Sequence, residues 1–181
     1  MGRFNTQTVS AAIGGALSPT VNYRLAAQSH SSDGYVVNDF LARDDTDDID
    51  ERSLRAIFTW QMSDRLATKL TLFHADADNG YDAFSLDNTR HTLSDKPGHD
   101  RQKSAAVAVE TTWRINDAYK WVALISFADS DLEYGYDEDW AFPNICAGQA
   151  CDGWEYNSED NYVRDRDNGS IDLRGVSQRP V

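Results

Sequence analysis

The side chains best equipped for chemistry fall in two acidic stretches, the second of them rich in aromatics. Asp44-Asp45-Thr46-Asp47-Asp48-Ile49-Asp50-Glu51 is one. Another holds Asp129, Asp131, Glu133, Asp137, Glu138 and Asp139, with Tyr134, Tyr136 and Trp140 between them. Carboxylates at such density are hard oxygen ligands of the kind Ca²⁺ takes, which makes Asp44, Asp47, Asp137 and Asp139 the candidates for a cation. Neither run has EF-hand spacing, and a solvated acidic loop is the plainer alternative. The aromatics Tyr81, Phe84, Tyr134, Tyr136, Trp140, Trp154 and Tyr156 offer stacking faces and hydrogen-bonding tips to a large ligand. They would serve equally to pack the loops against one another. His30, His74, His91 and His99 are scattered, without the i, i+4 or His-x-Glu spacing of a metal site. Gly-x-Ser-x-Gly, a P-loop and a dinucleotide fingerprint are all missing. The residues therefore point to binding without covalent chemistry or a cofactor, and the chain is not expected to be an enzyme.

The elements that must position these groups are strands, because apolar and polar residues alternate over long runs and alternation sorts side chains to opposite faces of a sheet. Val21, Tyr23, Leu25 and Ala27 form one such set, and Leu54, Ala56, Phe58, Trp60 and Met62 another. Thr68, Leu70 and Leu72 follow, then Val107, Val109, Thr111, Trp113 and Ile115, then Tyr119, Trp121, Ala123, Ile125 and Phe127. A small-residue strand, Thr8 to Leu17, precedes them, and a weaker seventh begins near Ser170. The central apolar faces carry no charge. The opposite faces hold Arg24, Arg55, Lys69, Glu110, Arg114 and Lys120, which must see water or polar partners.

The connections alternate in length. Ser18-Pro19-Thr20, Ser63-Asp64-Arg65 and Asn116-Asp117-Ala118 are tight turns. The others run from about Asn38 to Arg52, Asn79 to Gln102 and Asp131 to Asn168, and they hold most of the acid. Short turns at one end and long loops at the other are the pattern of an outer-membrane β-barrel. Tyr23, Trp60, Trp113, Tyr119 and Trp121 all lie on the apolar face near a short turn, as an interfacial aromatic girdle would. In the longest loop, on the exposed side of an oxidising compartment, Cys146 and Cys151 suit a loop-stapling disulfide. A metal or redox pair is the weaker alternative, since no His or second Cys pair accompanies them.

A net charge of −13 over 181 residues argues against a nucleic-acid partner, which would want a basic face. No run approaches the ~20 apolar residues of a membrane helix, which is compatible with strands that cross a membrane. No apolar signal segment precedes the first strand, and Gln178-Arg179-Pro180-Val181 follows the last without a terminal aromatic. The expectation is a piece of a longer barrel.

The motifs carry a family likeness. The stretch Gly14-Gly15-Ala16-Leu17-Ser18-Pro19-Thr20-Val21-Asn22-Tyr23-Arg24-Leu25-Ala26 resembles the hairpin that follows the plug domain in TonB-dependent outer-membrane receptors. Ser32-Asp33-Gly34-Tyr35-Val36 with Asn38-Asp39, and Leu54-Arg55 through Trp60, extend the resemblance. The stretches Asp78 to Ser85 and Tyr134 to Trp154 resemble loops of the siderophore and iron-complex branch. That resemblance implies an all-β domain over 1–181, an antiparallel up-and-down meander of six or seven long strands, belonging to a 22-stranded transmembrane barrel. It further implies the outer membrane of a Gram-negative bacterium, a plug domain and the TonB complex as partners, and a ferric siderophore or similar complex as ligand. Arg24, Arg55, Lys69, Glu110, Arg114 and Lys120 would then line the channel around the plug. The rival reading is a soluble secreted β-sandwich whose acidic loops bind Ca²⁺, with Phe58, Leu70, Val109 and Ile125 in a dry core.

Overall fold

The computed structural model describes residues 3–147 and 156–177. Alternation does build strands: β1 (Gln7–Ser18), β2 (Val21–Ser32), a two-residue β3 (Val37–Asn38), β4 (Ile49–Ser63), β5 (Leu66–Tyr81), a two-residue β6 (His91–Thr92), β7 (Gly98–Arg114), β8 (Tyr119–Asp137) and β9 (Glu159–Ser177). The seven long strands form one antiparallel sheet in the order β1-β2-β4-β5-β7-β8-β9, an up-and-down meander that is open, with β1 and β9 at its edges. Apart from the two-residue β3–β6 pairing, the described residues form no second sheet against it. β3 and β6 pair with each other, in parallel.

The register brings the expected apolar sets onto one face. Ile13 lies opposite Leu25, Leu25 opposite Ala56, Ala56 opposite Leu72, Leu72 opposite Val107, and Val107 opposite Phe127. The next row reads Tyr23, Phe58, Leu70, Val109, Ile125, Ile171. These side chains are open to the surroundings: Ile13 is 62 % exposed, Ile125 55 % and Ile171 73 %. On β7 and β8 the other face is the less exposed one, with Ala106, Ala108, Glu110, Leu124 and Ser126 half-buried between exposed Val107, Val109, Ile125 and Phe127. Such a difference marks the hollow of a curved sheet. In these middle rows the large apolar side chains point outward, and the hollow is lined mainly by small and polar ones.

The strands run further than their alternation indicates. β4 begins at Ile49 rather than Leu54, β5 and β7 meet as a ladder up to Tyr81 and Gly98, and β8 and β9 pair from Asp137 and Glu159. Much of the sequence expected as loop is therefore strand. Both faces of these extensions are polar or charged, so the hydrophobic period vanishes while the backbone ladder continues. The tight turns match expectation. Ser18 Oγ accepts from the Val21 N–H at 3.1 Å, and Asn116 Oδ1 accepts from the N–H groups of Ala118 and Tyr119 at 2.9 and 3.0 Å.

The buried centre lies at the opposite end, where the connections 33–48, 82–97 and the described part of the third, 138–147, converge. Among the described residues Val36, Asn38, Thr46, Asp82, Thr92, Ser94, Gly135, Asp137, Ala141 and Cys146 are buried, and every one belongs to this cap or the strand ends beneath it. Gly34, at φ +81°, lets the first connection pass Asp47; a Cβ there would sit 2.1 Å from the Asp47 carbonyl oxygen.

Candidate functional site

The cap is organised around a buried carboxylate. Asp82 Oδ2 accepts hydrogen bonds from Asn38 Nδ2 (2.8 Å), Thr46 Oγ1 (2.8 Å) and Thr92 Oγ1 (2.9 Å). Asn38 donates also to the Ser94 carbonyl at 2.9 Å and accepts the Leu41 N–H on Oδ1 at 2.8 Å. Fully buried polar groups are tolerated when each finds a partner, and here five residues from two connections satisfy one another. The β3–β6 pairing adds backbone bonds: Val37 N–H to the Arg90 carbonyl at 2.9 Å and Asp39 N–H to the Thr92 carbonyl at 2.9 Å. Nothing in the local sequence pattern announces this network, since its members are polar residues dozens of positions apart.

Beside it, five of the seven aromatics expected as ligand contacts come together. Phe84 is the hub: it stacks on Trp140 with ring centroids 5.0 Å apart and meets Tyr136 at 5.6 Å and Tyr81 at 5.8 Å. Tyr134 lies 5.0 Å from Tyr81 and 5.8 Å from Tyr136. The gap between Phe84, Tyr81, Tyr136, Trp140 and the polar cap is too narrow for water, so these rings pack the connections together and form a wall at the same time. Tyr162, directly opposite Tyr134 with centroids 6.3 Å apart, extends the wall. Sequence reasoning missed it because the start of β9 lay in what read as loop. Tyr156 is exposed. Trp154 and Cys151 lie outside the described residues, and with Cys151 so does the expected bridge to Cys146.

Tyr81, Tyr134, Tyr136 and Tyr162 share the inner face of the sheet at its loop end, by their register with Ala77, Leu132 and Arg164. Burial, with a hydrogen bond to Tyr81 second, holds the Tyr134 phenol well above its ordinary range. Donation to Asp160 Oδ2 at 2.8 Å, then burial, pushes Tyr136 up to about 12. Both stay protonated at neutral pH. They offer hydrogen bonds and ring faces, not phenolate oxygens.

The cation candidates do not assemble. Among the described residues no three His, Cys, Asp or Glu side chains converge to hold a metal ion. Asp44 is exposed, and Asp47 is half-buried against the first connection, with burial raising its carboxyl above the usual range. Asp137 and Asp139 do adjoin: Asp137 Oδ1 accepts the Asp139 N–H at 3.2 Å, and burial raises Asp137 to about 6.

The residues expected to line the channel do share the inner face. Arg24 lies opposite Ile57, Arg55 opposite Ala26 and Phe73, Lys69 opposite Glu110, and Arg114 opposite Lys120. Lys69 Nζ donates to Glu110 Oε2 at 2.9 Å. Asp172 and Arg174, unforeseen members of the same face, form a second ion pair. The girdle residues lie on the outer face at the short-turn end: Trp113 is directly opposite Trp121, whose ring covers Gly175. Compared with protein-family models and with curated proteins, the chain matches none.

Proposed function

We propose that this chain is part of the barrel of a TonB-dependent outer-membrane receptor, which takes up a scarce ligand such as a ferric siderophore. The observation that carries the reading is the inverted sheet: its apolar side chains are exposed on the outer face, its charged ones lie in the hollow, and its aromatics gather near the short turns. Lipid is the solvent that favours this arrangement. In the whole protein the hollow would receive the plug, against a surface built largely of Ala, Ser and Thr with Lys69–Glu110 and Asp172–Arg174 as fixed charges. The ligand would be met at the loop end by the neutral phenols of Tyr81, Tyr134, Tyr136 and Tyr162. Capture there, followed by TonB-driven movement of the plug, involves no covalent step.

The test is the full chain expressed behind a signal peptide, with membrane fractionation and heat-modifiable gel mobility, beside refolding in detergent and in plain buffer. Outer-membrane sedimentation and β-structure only in detergent are expected. A cooperative, monomeric β-protein in plain buffer overturns the reading.

A further inference from the structure

The hollow of the sheet sorts its charges along the strands. Near the short turns Lys69 is paired with Glu110 and Arg174 with Asp172. Directly above these pairs lie three successive inner rows, those through Ala75, Phe73 and Thr71 of β5, which contain Arg166, Arg55 and Arg24 and no carboxylate. The acids of β8 and β9 at neighbouring levels, Asp129, Asp131, Asp165 and Asp167, stand on the outer face. In a chain of net charge −13, the middle of the hollow is thus cationic. None of its three guanidinium groups has a hydrogen-bond or ion-pair partner among the described residues. Arg24 and Arg55 stand diagonally across the β2–β4 ladder, about 7–8 Å apart, so each raises the cost of the other. Arg55 is directly opposite Phe73, which borders a depression of about 420 Å³ edged by Ser126, Asn168 and Ser170. Arg166 lies two residues from Asn168 on the same face of β9. Arg164, one row higher, shares its row with Glu51, which is four ladders away on β4.

We propose that this carboxylate-free band binds a multiply charged oxyanion, a ligand bearing several carboxylates or phosphates, held by Arg24, Arg55 and Arg166 across the depression. The planar guanidinium fork matches either oxyanion through two parallel hydrogen bonds. The Ser126 and Ser170 hydroxyls, 2.7 Å apart and bonded to each other, retain one O–H for a further acceptor. A neutral or cationic ligand would leave Arg24 and Arg55 facing one another without a counter-charge. The tyrosine wall leads into the band, since Tyr162, Arg164 and Arg166 follow one another on the inner face of β9 at steps of about 7 Å. The proposal rests on the receptor reading above and gives its ligand a charge.

The test uses the full chain. Flotation with phosphatidylcholine vesicles measures insertion, and equilibrium dialysis in detergent micelles at low salt measures binding of benzene-1,3,5-tricarboxylate, of pyrophosphate and of the neutral benzene-1,3,5-tricarboxamide. Binding of at least one of the two anions, without the triamide, is expected. It should fall at least ten-fold in the Arg24→Gln/Arg55→Gln double variant and stay unchanged in Arg52→Gln, whose arginine lies on the outer face and is already paired with Asp50. Arg166→Gln, on the edge strand, should also weaken binding and supplies the reading if the double variant does not float. Insertion with equal binding of anion and triamide, with neither anion bound, or with the same loss in Arg52→Gln as in the hollow variants overturns this proposal alone. A parent chain that does not float with the vesicles overturns both this proposal and the membrane reading.

Discussion

Replacing Asp137 by Asn tests whether the cap holds a charge against its own interest. Asp137 closes β8, is 5 % exposed, and its Oδ2 has no hydrogen-bond partner among the described residues. Burial is the main reason its carboxyl rises from the ordinary 3.8 to about 6; hydrogen bonding to Ser94 opposes the rise, and Asp139 adds to it. At about 1.4 kcal/mol per tenfold change in proton affinity, the folded cap prefers protonated Asp137 by about 3 kcal/mol. Because the folded value lies above the unfolded one, stability is greatest below about pH 4, where the group is neutral in both states. It is lost between about pH 4 and 6, and the full cost persists above that. Asn is neutral throughout and offers an N–H toward Asp139 where protonated Asp137 would offer an O–H. Hydrogen exchange, corrected for intrinsic rates, reads the outcome at the amides of Asp95 and Glu138, which bond the carbonyls of Ala141 and Ser158. Asp137→Asn should slow their exchange at pH 7.5 by up to about 100-fold and leave it unchanged at pH 4. An equal effect at both pH values, or faster exchange at pH 7.5, refutes the reasoning.

Asp82→Ala leaves the donors of Asn38, Thr46 and Thr92 without their acceptor, at about 1–3 kcal/mol for each buried group left unpaired. Exchange of the Val37 and Asp39 amides should accelerate at least ten-fold while the β5–β7 ladder keeps its protection. Val109→Arg puts a charge in the middle of the outer apolar face and should cost about 2–4 kcal/mol in urea unfolding from lipid vesicles. The neighbouring inner-face change Ala108→Ser should be close to neutral in the same measurement. Equal tolerance of both would mean that the outer face does not contact lipid.

The sheet was legible because its middle rows alternate without interruption: Val107, Val109 and Thr111 declare a face, and the register carries that face from β1 to β9. The same rule failed where both faces are polar. Glu159 to Asn168 carries almost no apolar residue, so half of β9 and the wall residue Tyr162 went unseen, and the carboxylates of Asp131 and Glu133 read as loop although they stand on β8. The aromatic cluster was legible as composition, since Tyr81, Phe84, Tyr134, Tyr136 and Trp140 were all marked as one candidate surface. Its geometry was not, because it depends on two connections folding against the ends of β5 and β8. The Asp82 network lay beyond any sequence rule used, for a buried carboxylate has no periodicity and its partners are chosen by tertiary contact alone.

The two halves of the molecule also differ in how far apart along the chain their partners lie. Every long ladder joins strands that follow one another, apart from the short β3 and β6, so the sheet can zip hairpin by hairpin with little loop-closure entropy at each step. The cap joins Asn38 to Asp82 and to Ser94, across 44 and 56 residues, and such contacts become inexpensive only after β4, β5 and β7 hold the connections together. Assembly thus proceeds from turns to cap, and the satisfied Asp82 carboxylate registers that β2 through β7 have paired in their correct order.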